Sequence, residues 1–546
     1  MCGIFALLSQ DESKNTISDE LITYFQKGKK RGPEHSCIEY VSNGVLFGFH
    51  RLAINGLDKI SNQPLKHEAY TLICNGEIYN YNELIIKLGL SPKTNSDCEV
   101  ILGIYEMLQY KTLPLLHGDF AFILYDSNND EVIVARDPYG EKSLYVCYYK
   151  DNTIGFCSDM ASLMFNKEIE NIESFQPGTF AVFKKNDEQM FECLFQERYY
   201  YNISKQYITG KKTIEYYMYY LLTYLQRAII LRVCNSERPL ASLLSGGLDS
   251  SIICAYVTRF YKKNNEKTLE TYSIGLEDAE DLKYSQIVAD HIGSKHKQIV
   301  VSNETFIRSI PEVIKDIESY DTTTVRASVG NWNIGKYIKT TSDAKVIFNG
   351  DGADELMGGY LYFHCAPNDD AFDYEINRLL GDIHHYDVRR SDRSISSHGL
   401  EARTPFLDRE FTKFYLSIPI EYRNHNNGGY CEKYLIRKAI ELYDTDLLPK
   451  EILWRKKEAF SDGVSSLNKS WYEIIQETLE TNDTIVKKEY EYNTPKTLEQ
   501  MYYRQIFEEE YPSCEKVIPY FWMPRFIENA QDASARTLNI YNKTSN

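Results

Sequence analysis

Residues 245–251 read Ser245-Gly246-Gly247-Leu248-Asp249-Ser250-Ser251. They follow the apolar run Leu240-Ala241-Ser242-Leu243-Leu244 and open a helix-period segment over 252–261, so the order is strand, glycine loop, helix. Two glycines let the backbone approach a ligand, several N–H groups face one point, and the following helix presents its positive end there. The stretch reads as a phosphate cradle. It lacks the lysine of the ordinary P-loop, so a grip on pyrophosphate fits better than a reach to a γ-phosphate. A cradle on the β and γ phosphates leaves the α-phosphorus open to a carboxylate, which would give an acyl-adenylate. Asp249, at the end of the loop, is placed to hold Mg²⁺ on those phosphates. A serine- and glycine-rich turn before a helix can also be a plain tight connection, and the rest of the chain bears on that choice.

Downstream, strand patterns at 271–275, 297–301 and 345–349 alternate with helix patterns at 281–292 and 306–320. This predicts an α/β parallel-sheet nucleotide-binding domain covered on both faces, with a helical C-terminal part beyond residue 370. Asn349-Gly350-Asp351-Gly352-Ala353-Asp354-Glu355 also follows a strand, so it is expected to face the same pocket. Upstream, short β-rich runs at 2–8, 45–50, 70–74, 120–125, 132–135, 143–149 and 179–183, with helical pieces at 21–30 and 99–108, predict an α+β domain of layered antiparallel sheets with helices. The boundary is placed in the polar stretch near 202–212, giving domains 1–205 and 206–546.

A chain of 546 residues exceeds one ordinary core, which agrees with two domains. The net charge of −17 argues against nucleic acid or an anionic membrane surface as partner, since both reward a basic face. Twelve cysteines include no C-x-x-C pair, so reduced thiols in a cytoplasmic protein are expected rather than zinc or disulfides. Residues 1–8 carry no basic leader, and no apolar run approaches about 20 residues. The sequence leaves oligomeric state open, with a homodimer as the candidate. The tail after about residue 530 carries no assigned role.

Cys2 follows the initiator, and removal of Met1 would leave Cys2 with a free α-amino group. Such an amine has a reference pKa of about 7.7–8.0, so it can take the thiol proton and later deliver it to a leaving amine. One residue would then supply nucleophile and base.

Cys2-Gly3-Ile4-Phe5, Arg31-Gly32-Pro33-Glu34, Arg51-Leu52-Ala53-Ile54 and Asn75-Gly76-Glu77-Ile78-Tyr79-Asn80 together resemble the class II glutamine amidotransferase domain, an amino-terminal-nucleophile hydrolase. With the Ser245–Ser251 loop in the same chain, and with Glu401-Ala402-Arg403-Thr404-Pro405-Phe406-Leu407-Asp408, the whole sequence resembles the glutamine-hydrolysing asparagine synthetases. The resemblance implies that Cys2 attacks the glutamine side-chain amide, with Asn75 and Gly76 as oxyanion hole. It implies that Arg51 takes the glutamine α-carboxylate and that Asp97 and Glu77 take its α-ammonium, with Leu52, Ala53, Ile54 and Asn55 lining the pocket.

In the second half it implies ATP held by Leu243, Ser245, Gly247, Asp249, Ser250, Ile274, Asn349 and Gly350, and Mg²⁺ by Asp249 and Asp354. Lys457 would neutralise phosphate charge, Asp351 would serve in catalysis, and Arg326 is chosen for an aspartate carboxylate. No organic prosthetic group is implied. Ammonia would pass between the sites through a dry internal passage.

One departure stands out. The family pattern Ser-Gly-Glu-Gly is Asn349-Gly350-Asp351-Gly352 here, and Asp351 is one methylene shorter than the glutamate it replaces. Two alternatives follow from it: an amide-forming ligase acting on another carboxylate, or a glutaminase with an impaired ligase site.

Overall fold

Alternation of apolar side chains builds the first half as two facing sheets. In the computed structural model, which describes residues 2–10, 16–201, 212–265, 267–458, 463–465, 469–480, 485–486, 488–527 and 532–534, this half holds twelve strands. They are β1 (Gly3–Leu8), β2 (His35–Ser42), β3 (Val45–Arg51), β4 (Leu65–His67), β5 (Tyr70–Ile78), β6 (Gly118–Asp126), β7 (Glu131–Arg136), β8 (Tyr145–Tyr149), β9 (Ile154–Cys157), β10 (Ile169–Ser174), β11 (Thr179–Lys185) and β12 (Phe191–Arg198). They form two six-stranded sheets, ordered β10-β8-β9-β1-β3-β2 and β12-β11-β7-β6-β5-β4, and every pairing is antiparallel. Ile4, Ala6 and Leu8 meet Ile73, Ile123 and Val134 in the layer between the sheets. Phe5 and Leu7 point the other way, toward Phe25 and the helix Asn303–Ile317 of the second half. The outer face of the second sheet, with Leu72, Phe122 and Leu124, packs on the helix Val100–Leu108.

The second half is built on β13 (Leu240–Leu243), β14 (Glu270–Gly275), β15 (Lys295–Val300), β16 (Val346–Phe348) and β17 (Glu401–Arg403), a parallel sheet ordered β15-β14-β13-β16-β17. The chain runs from β13 outward to β14 and β15, then returns to the other side of β13 for β16 and β17. Loops leaving β13 and β16 therefore diverge and open a crevice at the carboxyl ends of the strands.

Both expected layers are present, with differences in detail. Strands β2, β4, β9, β10 and β12 have no counterpart among the expected runs. In β12 only Phe191 is buried, so this edge strand lacks the apolar alternation that marks a half-buried one. The three residues of β17 lie inside a region that reads as helical, yet they complete the sheet and carry Glu401 and Arg403 toward the first half. The boundary expected at 205/206 lies outside the described residues, as do Met1 and most of the tail. Among the described residues no helix is long and apolar enough to cross a membrane, and all twelve cysteines are free thiols.

Candidate active sites

Pairing of β1 with β3 sets Gly3 opposite His50, which brings Cys2 against the chain leaving β3. Its Sγ lies 3.6 Å from the Leu52 carbonyl oxygen, and its N–H donates to Asn75 Oδ1 at 3.1 Å. Burial pushes the Cys2 thiol up to about 11, although the amino-terminal charge, the Leu52 contact and Arg51 act to lower it. The thiol is thus protonated at neutral pH, and a base must take its proton before it can attack. Gly76 sits where β5 crosses β6 so closely that a Cβ would fall 2.3 Å from the Asp119 carbonyl oxygen.

The Arg51 guanidinium donates to the Asp58 carbonyl at 2.8 Å, to Asn62 Oδ1 at 2.6 Å, and to the carbonyls of Asn55 and Gly56. Among the described residues no carboxylate pairs with it, so its charge is open to an anion. Asn55 Nδ2 donates to Glu77 Oε2 at 2.5 Å, so the residue whose carbonyl accepts from Arg51 also holds one carboxylate. Burial raises Glu77 well above the usual range, helped by Asp97 and Glu401, and raises Asp97 to about 6 even though the Ile78 N–H donates to it at 2.6 Å. A cation beside two carboxyl groups of raised proton affinity has the charge pattern that an amino-acid zwitterion complements. Leu52, Ala53 and Ile54 are buried, and the Ala53 N–H donates to Glu34 Oε2 at 2.7 Å.

The second half closes this site from below. Arg403 Nη2 lies 3.6 Å from Glu77 Oε2 and its Nε 2.9 Å from Glu401. Burial works against ionisation of Glu401, but Lys142 and Arg403 overcome it and lower the carboxyl to about 2.

At the other site, Leu243, Ser245, Gly247, Asp249, Ser250, Ile274, Asn349, Gly350, Asp351, Asp354 and Lys457 all line one cavity at the carboxyl ends of β13, β14 and β16. Gly246 has φ +75°, and a Cβ there would come within 2.5 Å of Ser285 N, so the turn requires glycine. Ser245 Oγ accepts from the Gly247 N–H at 3.2 Å and lies 3.0 Å from Ser250 Oγ, so the two hydroxyls hold the turn of the loop. Lys433 Nζ bridges Asp249 Oδ2 and Asp354 Oδ1 at 2.5 Å each, and Lys457 Nζ meets Asp354 Oδ2 at 2.6 Å. Burial alone would raise Asp354, but the two lysines hold it far below the usual carboxylate range; Lys457 is raised in turn.

Asp249 Oδ1 is buried without a hydrogen-bond partner. Two carboxylates beside a phosphate cradle fit Mg²⁺ arriving with ATP, since that ion keeps waters and phosphate oxygens among its ligands. Among the described residues no group of three His, Cys, Asp or Glu converges to hold an ion alone, so the phosphates would complete the set.

The two departures from the family pattern interlock. Asn349 Oδ1 accepts from the Asp351 N–H at 3.2 Å, while Asn349 Nδ2 donates to Ser391 Oγ at 2.6 Å. Asp351 Oδ1 accepts from Arg390 Nη2 at 2.7 Å, and Asp351 Oδ2 is buried with no partner. Burial raises Asp351, against the pull of Arg390.

Arg326 requires a correction. On the helix Thr322–Thr341 the pocket is lined by Thr323, Ala327, Asn331 and Ile334, one face at helical spacing, and Arg326 lies off that face. Its guanidinium is consumed by Glu499 at 2.8 and 2.5 Å and by Asp532 at 2.8 Å twice. Asp532 thereby gives part of the tail a structural contact. Arg326→Leu should destabilise the fold by about 3–5 kcal/mol, because it strands buried carboxylates. The check is thermal unfolding of the variant beside the parent protein. Sequence reading also passed over Lys433, Arg390, Asp387 and Tyr360, which line the same cavity.

Residues 1–219 match the family described as glutamine amidotransferase domain, and residues 221–374 and 365–536 match asparagine synthase. The chain is 40% identical over 569 residues to the glutamine-hydrolysing asparagine synthetase of Gallus gallus, covering 99% of each chain. The proteins of that name from Rattus norvegicus (39% identical, 100% of each chain) and Homo sapiens (38%, 99% of each) are similar over the same extent. With both halves matched and full-length relatives well above 30% identity, the chain belongs to the glutamine-hydrolysing asparagine synthetases, carbon–nitrogen ligases that use glutamine as amide donor.

Proposed function

We propose that this protein makes asparagine from aspartate, glutamine and ATP, releasing glutamate, AMP and pyrophosphate. The observation that carries the reading is the convergence of nucleotide-site residues from three separate stretches on one cavity, in a chain that also sets Cys2 beside Asn75. Removal of Met1 frees the Cys2 amine to take the thiol proton. The thiolate attacks the glutamine amide carbon, and the Asn75 amide and Gly76 N–H receive the oxyanion. Ammonia leaves with the proton returned by the amine, and water then hydrolyses the γ-glutamyl thioester to glutamate. Asn75→Ala should lower glutaminase kcat by about 10²–10³-fold with a small change in KM, because the donor acts mainly in the transition state.

Arg51 holds the glutamine carboxylate, and Asp97 with Glu77 holds its ammonium. As pH falls through about 6, Asp97 takes up a proton in the free enzyme and loses the charge that receives the ammonium. The predicted result is a fall in kcat/KM for glutamine below about pH 6, assigned to the coupled pair, with the kcat limb displaced to lower pH because bound ammonium favours the carboxylate. Steady-state profiles from pH 5 to 8 check it.

In the cavity the loop Ser245–Ser250 cradles the leaving pyrophosphate. Asp249 and Asp354 would hold Mg²⁺, whose chemistry is to neutralise phosphate charge, and Lys433 and Lys457 turn from these carboxylates to the phosphates. The aspartate β-carboxylate attacks the α-phosphorus, giving β-aspartyl-AMP and pyrophosphate. Ammonia crossing from the first site then displaces AMP, with Asp351 Oδ2 as the acceptor of its proton. Exchange of labelled pyrophosphate into ATP tests the first step: it should require aspartate and proceed without a nitrogen donor. Exchange without aspartate, or none with it, contradicts the adenylate.

A further inference from the structure

The loop between β16 and the helix Ala353–Met357 carries Asp351, and its backbone has little room to move. A Cβ at Gly350 would come within 2.8 Å of Ser250 N, and one at Gly352, where φ is +86°, within 2.5 Å of Leu407 Cγ. The Asn349 N–H donates to the Arg403 carbonyl at 3.1 Å, which ties the start of the loop to β17. An aspartate carboxylate stands about 1.5 Å nearer its backbone than a glutamate's, the length of one carbon–carbon bond. With the backbone wedged between its neighbours, side chains must decide where that carboxylate stands. We propose that Asn349 is a positioning residue for Asp351, and that the two departures from the family pattern act as one compensating pair. The inference rests on the role given to Asp351 above.

Three observations carry it. First, the contacts close a ring. Asn349 Oδ1 accepts from the Asp351 N–H at 3.2 Å and Asn349 Nδ2 donates to Ser391 Oγ at 2.6 Å; Ser391 follows Arg390, whose Nη2 donates to Asp351 Oδ1 at 2.7 Å. Asp351 is thus held at its backbone and at its carboxylate by adjacent residues of the helix Asp387–Ser396 and by the amide that joins them. A backbone N–H can only donate, so the orientation of the amide is fixed and Nδ2 is left for Ser391. Serine at 349 would offer one oxygen in place of a separate acceptor and donor, and could not span both partners in the same way.

Second, the far side of the ring is anchored. Arg390 also donates through Nε and Nη2 to Asp387 Oδ1 at 3.2 and 2.8 Å, within its own helix, and Asn349, Arg390 and Ser391 are all buried. The guanidinium therefore stays in place rather than following the acid. Third, the ring leaves one atom of the acid uncommitted: Asp351 Oδ2 is buried and has no hydrogen-bond partner. A carboxylate fixed at Oδ1 and at its backbone has its second oxygen aimed for it.

A cycle of Asn349→Ser, Asp351→Glu and the double variant tests the pair, read as ammonia-dependent asparagine formation beside aspartate-dependent exchange of pyrophosphate into ATP. Asn349→Ser should lower amide formation by about 10–10²-fold, the cost of misplacing a reacting group by about 1 Å, and should lower it at least about tenfold more than it lowers exchange. A residue that only supported the fold would lower both alike. The double variant should make asparagine faster than Asn349→Ser alone, since the longer acid regains the reach that the looser hold gives up; independent effects would make it the slowest of the three. Ser391→Ala removes the far partner of the amide. It should lower amide formation about tenfold, add little in the Asn349→Ser background, and carry the test if Asn349→Ser does not fold. With a parent that makes asparagine, a double variant slower than both singles, equal loss of the two reactions in Asn349→Ser, or full amide formation in Ser391→Ala would each overturn the inference alone. A parent that makes no asparagine from ammonia would remove the role of Asp351 itself, and the inference with it.

Discussion

Cys2→Ala is expected to lower glutamine hydrolysis and glutamine-dependent asparagine formation by at least about 10³-fold, while ammonia-dependent synthesis stays within a few-fold of the parent. The size follows from the site having one nucleophile. Cys98 donates its Sγ–H to the Gly76 carbonyl at 3.4 Å, and Cys74 is buried in the core of the second sheet, so neither thiol stands where Cys2 meets Asn75. The spared activity follows from separation: none of the residues lining the nucleotide cavity belongs to the first half. Glutamate release with glutamine and asparagine release with ammonium chloride, measured on one preparation, make the comparison. Loss of both activities would mean that the halves are not chemically separable.

Asp351→Asn should lower asparagine formation by about 10²–10⁴-fold with either nitrogen donor, and leave glutamine hydrolysis nearly intact. An amide cannot take the proton that ammonia must lose on attack, and it gives up the charge that pairs with Arg390. Asp351 Oδ1 is engaged by Arg390, so Oδ2, buried and unpartnered, is the free acceptor. Its raised proton affinity makes it a stronger base than an exposed aspartate. Asn349 braces the Asp351 backbone and reaches Ser391, which suits a shorter acid held in one place rather than a degraded site. Asp351→Glu separates charge from reach: it should retain more activity than Asp351→Asn, and equal activities would remove Asp351 from proton transfer.

The parts of the fold legible in the sequence are those encoded locally. Glycine loops after apolar runs announce themselves, because the backbone conformation at Gly246 and the close approach at Gly76 exclude other residues. Alternating β–α patterns gave the parallel sheet for the same reason. What stayed hidden depends on distant chain. Arg326 sits in a motif-like stretch, but its partners Glu499 and Asp532 are 173 and 206 residues away, and no local signal tells which face of its helix meets the cavity. Lys433 stands alone in sequence and reaches Asp249 across 184 residues, from a backbone with φ +58°. Strand β17 is too short to show a period, yet it places Arg403 beside Glu77 of the first half. Family resemblance pointed to residues that, Arg326 apart, line one cavity of the second half; the interlock of Asn349, Asp351, Arg390 and Ser391 required the structure.

The central claim is that one chain moves nitrogen from glutamine to aspartate at the expense of ATP. Incubation with amide-¹⁵N glutamine, aspartate, ATP and Mg²⁺, with glutamate, pyrophosphate and ¹⁵N-asparagine followed together, tests it most directly. The predicted result is near-equal yields of the three products, with label in the asparagine side-chain amide. Glutamate without pyrophosphate or labelled asparagine would contradict it, and would leave a glutaminase whose ligase site is impaired or serves another carboxylate.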